Sequence, residues 1–214
     1  MSSKRAGLKA LFTSEARVRI LERLILHTAD RFYQSELAGL ERLPVKAVQR
    51  ELAKLTRFGL VRPAGRVGRR RYCRINRAHP IYPELKALLL KSALLGTRPE
   101  RLTRPPLSKV TAAFVFGSVA KNEEDRRSDL DVLVIGNLSG SEWSRAIQTR
   151  RPLGFREENS IVMPEDEFRR RWAQGEAFLR ELVEGPKIFL IGGPDEVRRL
   201  IEESKAPAPA SHGG

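Results

Sequence analysis

The sequence is poor in cysteine and histidine, and its first half is poor in acid. Cys73 is the single cysteine, so no intramolecular disulfide can form, and no cluster of Cys and His exists to build a zinc site. A reduced, cytoplasmic setting is expected, with Cys73 serving as a small buried residue. No stretch approaches the roughly 20 apolar residues of a membrane span. The opening MSSKRAGLKALFTSEARV begins basic but never develops the apolar run of a signal peptide. A soluble, intracellular chain without a membrane partner is the expectation.

The shortage of acid is local. Residues 1–100 hold 22 Lys and Arg against 8 Asp and Glu, while residues 101–214 hold 18 of each, so the whole net charge of +14 comes from the first half. That asymmetry implies two modules with different partners, the first facing a polyanion. With 214 residues and 41% apolar content there is enough material for a packed core in each.

In the basic half, Ser14 is positioned to cap a helix in which Ile20, Leu21, Leu24 and Ile25 recur at helical spacing, to about His27. A short helix, Ser35 to Leu40, follows. After Glu41-Arg42-Leu43, Pro44 opens a third helix with Val45, Val48, Leu52 and Leu55 on its apolar face, ending at Gly59. Off that face lie Lys46, Gln49, Arg50, Lys54 and Arg57, side chains suited to base edges and phosphates. Strands over Leu60–Ala64 and Arg70–Ile75 are expected around a turn at Gly65–Arg69. From Arg62 to Arg77 there are seven arginines and no acid. A one-sign run on a hairpin tip is better explained by phosphates than by solvation, because solvated faces mix signs.

The helix–turn–helix layout, the phrase ELAKLTRFGLV and the basic hairpin resemble the winged helix-turn-helix domain of small bacterial and archaeal transcriptional regulators, over about residues 10–80. The resemblance implies double-stranded DNA as partner. Lys46, Gln49 and Arg50 would enter the major groove, with Lys54 on the same helix, and Arg66, Arg69, Arg70 and Arg71 would lie along the backbone or in the minor groove. A helix from Pro83 to Leu95 is where such regulators pair subunits, so a homodimer is expected. Gly96 to Ser108, dense in Pro and Arg, reads as a linker.

The second half contains FVFGSVAKNEEDRRSDLDVLVIG. Gly117-Ser118 closes one apolar run, nine residues intervene (Val119 to Arg127), and Ser128-Asp129-Leu130-Asp131 opens the next. Glycine lets backbone N–H groups approach phosphate oxygens closely. Asp129 and Asp131, two apart on a strand, point to one face and can hold Mg²⁺ together with substrate phosphates. The pattern strongly resembles the polymerase-beta type nucleotidyltransferase superfamily, over about residues 108–192. It implies Gly117, Ser118 and Ser128 at the triphosphate, Asp129 and Asp131 on two Mg²⁺ ions, and a nucleoside triphosphate as ligand or substrate.

Active members of that superfamily carry a third carboxylate on the next strand. There it helps hold the catalytic metal and deprotonate the attacking hydroxyl, for in-line displacement with pyrophosphate release. Here the segment is GFREENSIVM, with a strand expected over Phe155–Met163. Glu157 and Asn159 share one face and Glu158 takes the other. The superfamily pattern puts Asn159 where an Asp is expected, with Glu157 one pleat away as the remaining catalytic candidate. Further on, helices are expected at Ser141–Arg150, Glu165–Glu184 and Pro194–Glu203, with a strand over Lys187–Gly192.

The expected fold class is therefore α/β (α+β): a winged helix-turn-helix domain (1–80), a helix and Pro/Arg-rich linker (81–108), a mixed sheet flanked by helices (109–203) and a disordered tail (204–214). The function implied is a DNA-binding transcriptional regulator whose nucleotidyltransferase-like domain binds Mg²⁺–nucleotide. The alternative is an active enzyme moving a nucleoside monophosphate to a protein or other hydroxyl acceptor, as antitoxin-like members are thought to do.

Overall fold

A computed structural model describes residue 8 and residues 10–27, 30–97, 99–125, 127–147 and 154–204. Ser14 caps α1 (Glu15–Leu26) as its spacing demands, its hydroxyl accepting from the Arg17 N–H at 3.2 Å. A two-residue strand β1 (Phe32–Tyr33), absent from the sequence reading, precedes α2 (Gln34–Glu41). Arg42, left-handed at φ 51°, closes α2, and Pro44 caps α3 (Val45–Arg57) rather than entering it. Strands β2 (Val61–Val67) and β3 (Arg70–Ile75) then pair antiparallel, with β1 added on the far edge of β3. The hairpin is tighter than expected. Gly68-Arg69 alone makes the turn, while Gly65, at φ 98°, falls in a bulge between Pro63 and Arg66.

The second sheet is mixed and four-stranded. Its strands are β4 (Val110–Phe116), β5 (Leu130–Gly136), β6 (Glu158–Met163) and β7 (Ile188–Ile191), in the order β6-β5-β4-β7. Only β5 and β6 run parallel, joined through α6 (Gly140–Ala146). The expected Glu165–Glu184 helix is two, α7 (Glu165–Ala173) and α8 (Ala177–Glu184). Gly175, at φ 74°, breaks it, and Arg171 bridges the break with hydrogen bonds to both oxygens of Glu176. α9 (Pro194–Glu203) closes the described chain. The tail from residue 205 lies outside the described residues, as does the end of the expected helix to Arg150.

Alternation along the strands divides the core. Ala112, Phe114, Leu133, Ile135 and Met163 face α7, α8 and α9, meeting Phe168, Leu179, Leu182, Val197 and Leu200. Ala113, Val115, Val132 and Val134 face the other way, into a cluster that runs without interruption through Leu89, Leu90 and Leu94 to Ile20, Leu21, Leu24 and Leu52. The carrier of that continuity is α4 (Tyr82–Leu95), which packs against both α1 and β7. Its buried side chains are thus used within the chain. Leu85 and Leu88 are half-buried and pack against the same cluster.

Candidate nucleotide site

β4 ends where the site begins. Phe116 caps a one-and-a-half-turn helix, α5 (Gly117–Lys121), and Gly117 takes φ 71°, a conformation that favours glycine. A second reason for glycine lies across the sheet: a Cβ added at Gly117 would sit 3.1 Å from Asp131 Oδ2. The two halves of the GS…DLD pattern therefore meet, side by side at one end of the sheet. Asn122 closes α5 in the left-handed conformation at φ 60°, which asparagine tolerates better than most residues.

Asp131 lies between two partners. Phe116 is opposite it on β4, and Asn159 is opposite it on β6. Asn159 Nδ2 donates to Asp131 Oδ1 at 3.3 Å. The amide thus occupies the register position beside the aspartate. Asp129 is engaged differently, by both arms of Arg156: Nε donates to Oδ1 at 3.0 Å and Nη2 to Oδ2 at 2.9 Å. Hydrogen bonding to Asp129 and its charge raise the Arg156 pKa above its ordinary value, with a lesser contribution from Glu157. Glu157 itself is exposed, and its backbone carbonyl accepts from Leu130 N–H at 2.8 Å. No group of three His, Cys, Asp or Glu able to hold a metal ion exists among the described residues. Glu158, on the opposite face, is half-buried, and burial raises its pKa.

Ser128 turns back on its own loop. Its hydroxyl accepts from Asp125 N–H at 2.9 Å and lies 3.2 Å from Asp125 Oδ1. The loop is held from beneath by a buried group that sequence reading passed over. Lys86, on α4 and 1% exposed, donates to Val119 O at 2.6 Å, Asn122 Oδ1 at 3.0 Å and Glu124 Oε1 at 2.8 Å. Burial lowers the Lys86 pKa, and Glu124, through charge and hydrogen bond, resists. From the foot of the basic hairpin Arg77 donates to Asn122 O at 3.0 Å and to Glu124 O at 2.9 Å. No spacing announces these contacts, since they join residues 33 to 47 positions apart. Arg156 was equally invisible, one arginine in a run of mixed charge. A separate hollow of about 700 Å³, lined by residues that include Thr97, Arg101, Arg104 and Arg145, contains none of the motif residues.

The other sequence-predicted residues lie on the first sheet and α3. Lys46, Gln49, Arg50 and Lys54 are exposed on α3, and Arg66, Arg69, Arg70 and Arg71 are exposed around the hairpin. Glu51, the one acid of α3, is turned inward, where Arg17 Nε donates to it at 2.9 Å and Ser14 Oγ at 3.3 Å. Burial would push its carboxyl up, but the hydrogen bond and charge of Arg17 outweigh it and the pKa falls. Two stacks order the hairpin base: Arg70 over Tyr33, 4.7 Å from the ring centre, and Arg31 over Tyr72 at 4.8 Å. Cys73 donates to Phe32 O at 3.3 Å, and burial pushes its thiol up to about 11, so it is an unreactive packing residue.

Residues 100–191 match the sequence model of the family described as nucleotidyltransferase domain. No curated protein and no solved structure matches the chain. The first half consists of helices with a three-stranded antiparallel sheet, an arrangement compatible with a winged helix-turn-helix. No described helix is long and apolar enough to cross a membrane.

Proposed function

We propose that the chain is a DNA-binding regulator whose nucleotidyltransferase domain binds Mg²⁺–nucleotide as a signal and does not transfer it. The observation that carries this reading is Asn159, hydrogen-bonded to Asp131 at the register position where the superfamily pattern calls for an acid. An amide oxygen can ligate Mg²⁺, but it adds no charge and cannot accept the proton of an attacking hydroxyl. Asp129 and Asp131 supply the hard oxygen ligands for one ion, with Gly117 and Ser118 toward the phosphates. When bound, the metal would neutralise phosphate charge and orient the triphosphate. The second ion and the deprotonation step both lack their usual acid.

DNA binding is supported by the charge pattern. With Glu51 neutralised inside, the outer face of α3 offers no acid, and the hairpin adds exposed arginines that include Arg66, Arg69, Arg70 and Arg71. Lys46, Gln49 and Arg50 suit base edges, and Arg66, Arg69, Arg70 and Arg71 suit phosphates.

Two measurements on the full chain test the reading. Titration with ATP or GTP in Mg²⁺ should give saturable binding that Asp129→Ala/Asp131→Ala abolishes, and labelled triphosphates should give no transfer. Transfer that Glu157→Gln abolishes would replace this reading with the active enzyme. Duplex DNA titrated at two salt concentrations should lose affinity steeply. Four phosphate contacts imply a loss on the order of 100-fold between about 50 and 200 mM salt. A flat response removes the DNA half of the proposal.

A further inference from the structure

Phe116 is the cross-strand partner of Asp131 and shares its face of the sheet. Directly opposed side chains on neighbouring strands have Cβ atoms about 5 Å apart, so the ring stands beside the carboxylate. Over Phe116, edge to face with ring centres 6.4 Å apart, lies Phe178, in the first turn of α8. α8 buries Leu179 and Leu182 against the sheet, while Phe178 points off that face and is 41% exposed. A single exposed phenylalanine needs no explanation by itself. This one belongs to a two-ring ledge that starts at the metal-binding aspartate and ends in solvent.

We infer that Phe178, backed by Phe116, is the stacking surface for the base of the nucleotide whose phosphates lie at Gly117 and Asp131. The inference rests on the nucleotide-binding reading above and names how its ligand is recognised. Geometry supports it through continuity. The base is separated from the first phosphate by one ribose, and the ledge begins one strand over from Asp131. Edge-to-face support from Phe116 holds the Phe178 ring, so its face is presented without freezing a mobile side chain at the moment of binding.

The surroundings also set the selectivity. Glu176, two residues before Phe178, is held by Arg171 at 2.5 and 2.6 Å, and Arg180, two residues after, lies over Trp172 at 5.3 Å. The polar neighbours on the chain are thus engaged elsewhere, and the ledge offers a flat apolar face. Stacking of this kind follows ring size more than hydrogen-bond pattern, so purines should bind better than pyrimidines, with little choice between adenine and guanine.

The test uses the full chain in Mg²⁺, titrated with ATP, GTP, CTP, UTP and inorganic tripolyphosphate. Wild type should favour the purine nucleotides, and Phe178→Ala should weaken them by about ten-fold while leaving tripolyphosphate unchanged. Phe178→Leu should fall between, and Phe178→Trp should bind at least as tightly as wild type. Unchanged tripolyphosphate binding certifies that each variant is folded. If Phe178→Ala binds ATP as wild type does, or if wild type binds tripolyphosphate as tightly as ATP, the ledge is not a base site although the phosphate site stands. If wild type binds neither ATP nor tripolyphosphate, the nucleotide reading itself fails and the ledge with it.

Discussion

Replacing Lys86 by methionine keeps its length and apolar stem but removes the ammonium from the loop between the two motif halves. Three acceptors lose a donor: Val119 O, Asn122 Oδ1 and Glu124 Oε1. Glu124 is 4% exposed, and Arg77 at 4.0 Å and the Tyr82 hydroxyl at 3.5 Å stay near its carboxylate. Removing one partner of a buried pair destabilises by roughly 3–5 kcal/mol, because the other charge stays behind in a poor solvent. Arg77, close by, argues for the lower end. For a chain of this size roughly 3 kcal/mol lowers the melting temperature by about 6–12 °C, which circular dichroism or calorimetry at pH 7 reads directly. Lys86→Met/Glu124→Leu removes both charges and should recover most of the loss, since an apolar pair of similar volume replaces an ion pair at little net cost. A single variant melting within about 2 °C of wild type would refute the argument. So would a double variant as unstable as the single.

Three further outcomes follow from the site. Gly117→Ala forces an L side chain to φ 71° and against Asp131, so urea unfolding should show a loss of roughly 1–2 kcal/mol and nucleotide binding should fall with it. Burial raises the Glu158 pKa from 4.5, so above that value the folded chain holds a proton the unfolded chain releases, and stability should fall as pH rises through the raised value. Glu158→Gln should therefore melt higher than wild type at pH 7, and the gain should vanish below pH 4.5, where both states are protonated. Arg156→Gln removes a 61% exposed arginine whose pair with Asp129 is screened by solvent, so melting should barely change. Mg²⁺ binding by the same variant, followed by calorimetry, should tighten because Asp129 no longer has to exchange one cation for another.

Local signals in the chain proved reliable where a side chain answers to its neighbours in sequence. Ser14 caps α1, α9 runs from Pro194 to Glu203 as its amphipathic pattern requires, and the apolar runs around GS and DLD are adjacent antiparallel strands. Two kinds of feature escaped. A glycine inside an expected helix was ambiguous: Gly175 splits α7 from α8, where one helix was expected over Glu165–Glu184. Register was the second kind. The sequence names Glu157 and Asn159 as candidates on one face, but which stands beside Asp131 depends on the pairing of β5 with β6, a long-range property of backbone hydrogen bonds. Arg156, Lys86 and Phe178 were hidden for the same reason, each acquiring meaning only from a partner far along the chain.

The stretch from Gly96 to Ser108 looked like a tether, yet the helix before it is a keystone. Arg101 donates to Leu95 O and Ala146 O at 2.6 Å each, and Leu89, Leu90 and Leu94 are at most 1% exposed. Severing the chain after α4 would bare leucines worth roughly 1.5–3 kcal/mol each, more than a small fragment can forfeit. The halves are therefore poor candidates for dissection: a truncated basic half would be sticky for reasons unrelated to its arginines, and its apparent affinity for any polyanion would report on lost solubility. Substitution within the intact chain is the sounder instrument. Reading the molecule as beads on a string would misattribute to one bead what the shared interior does for both.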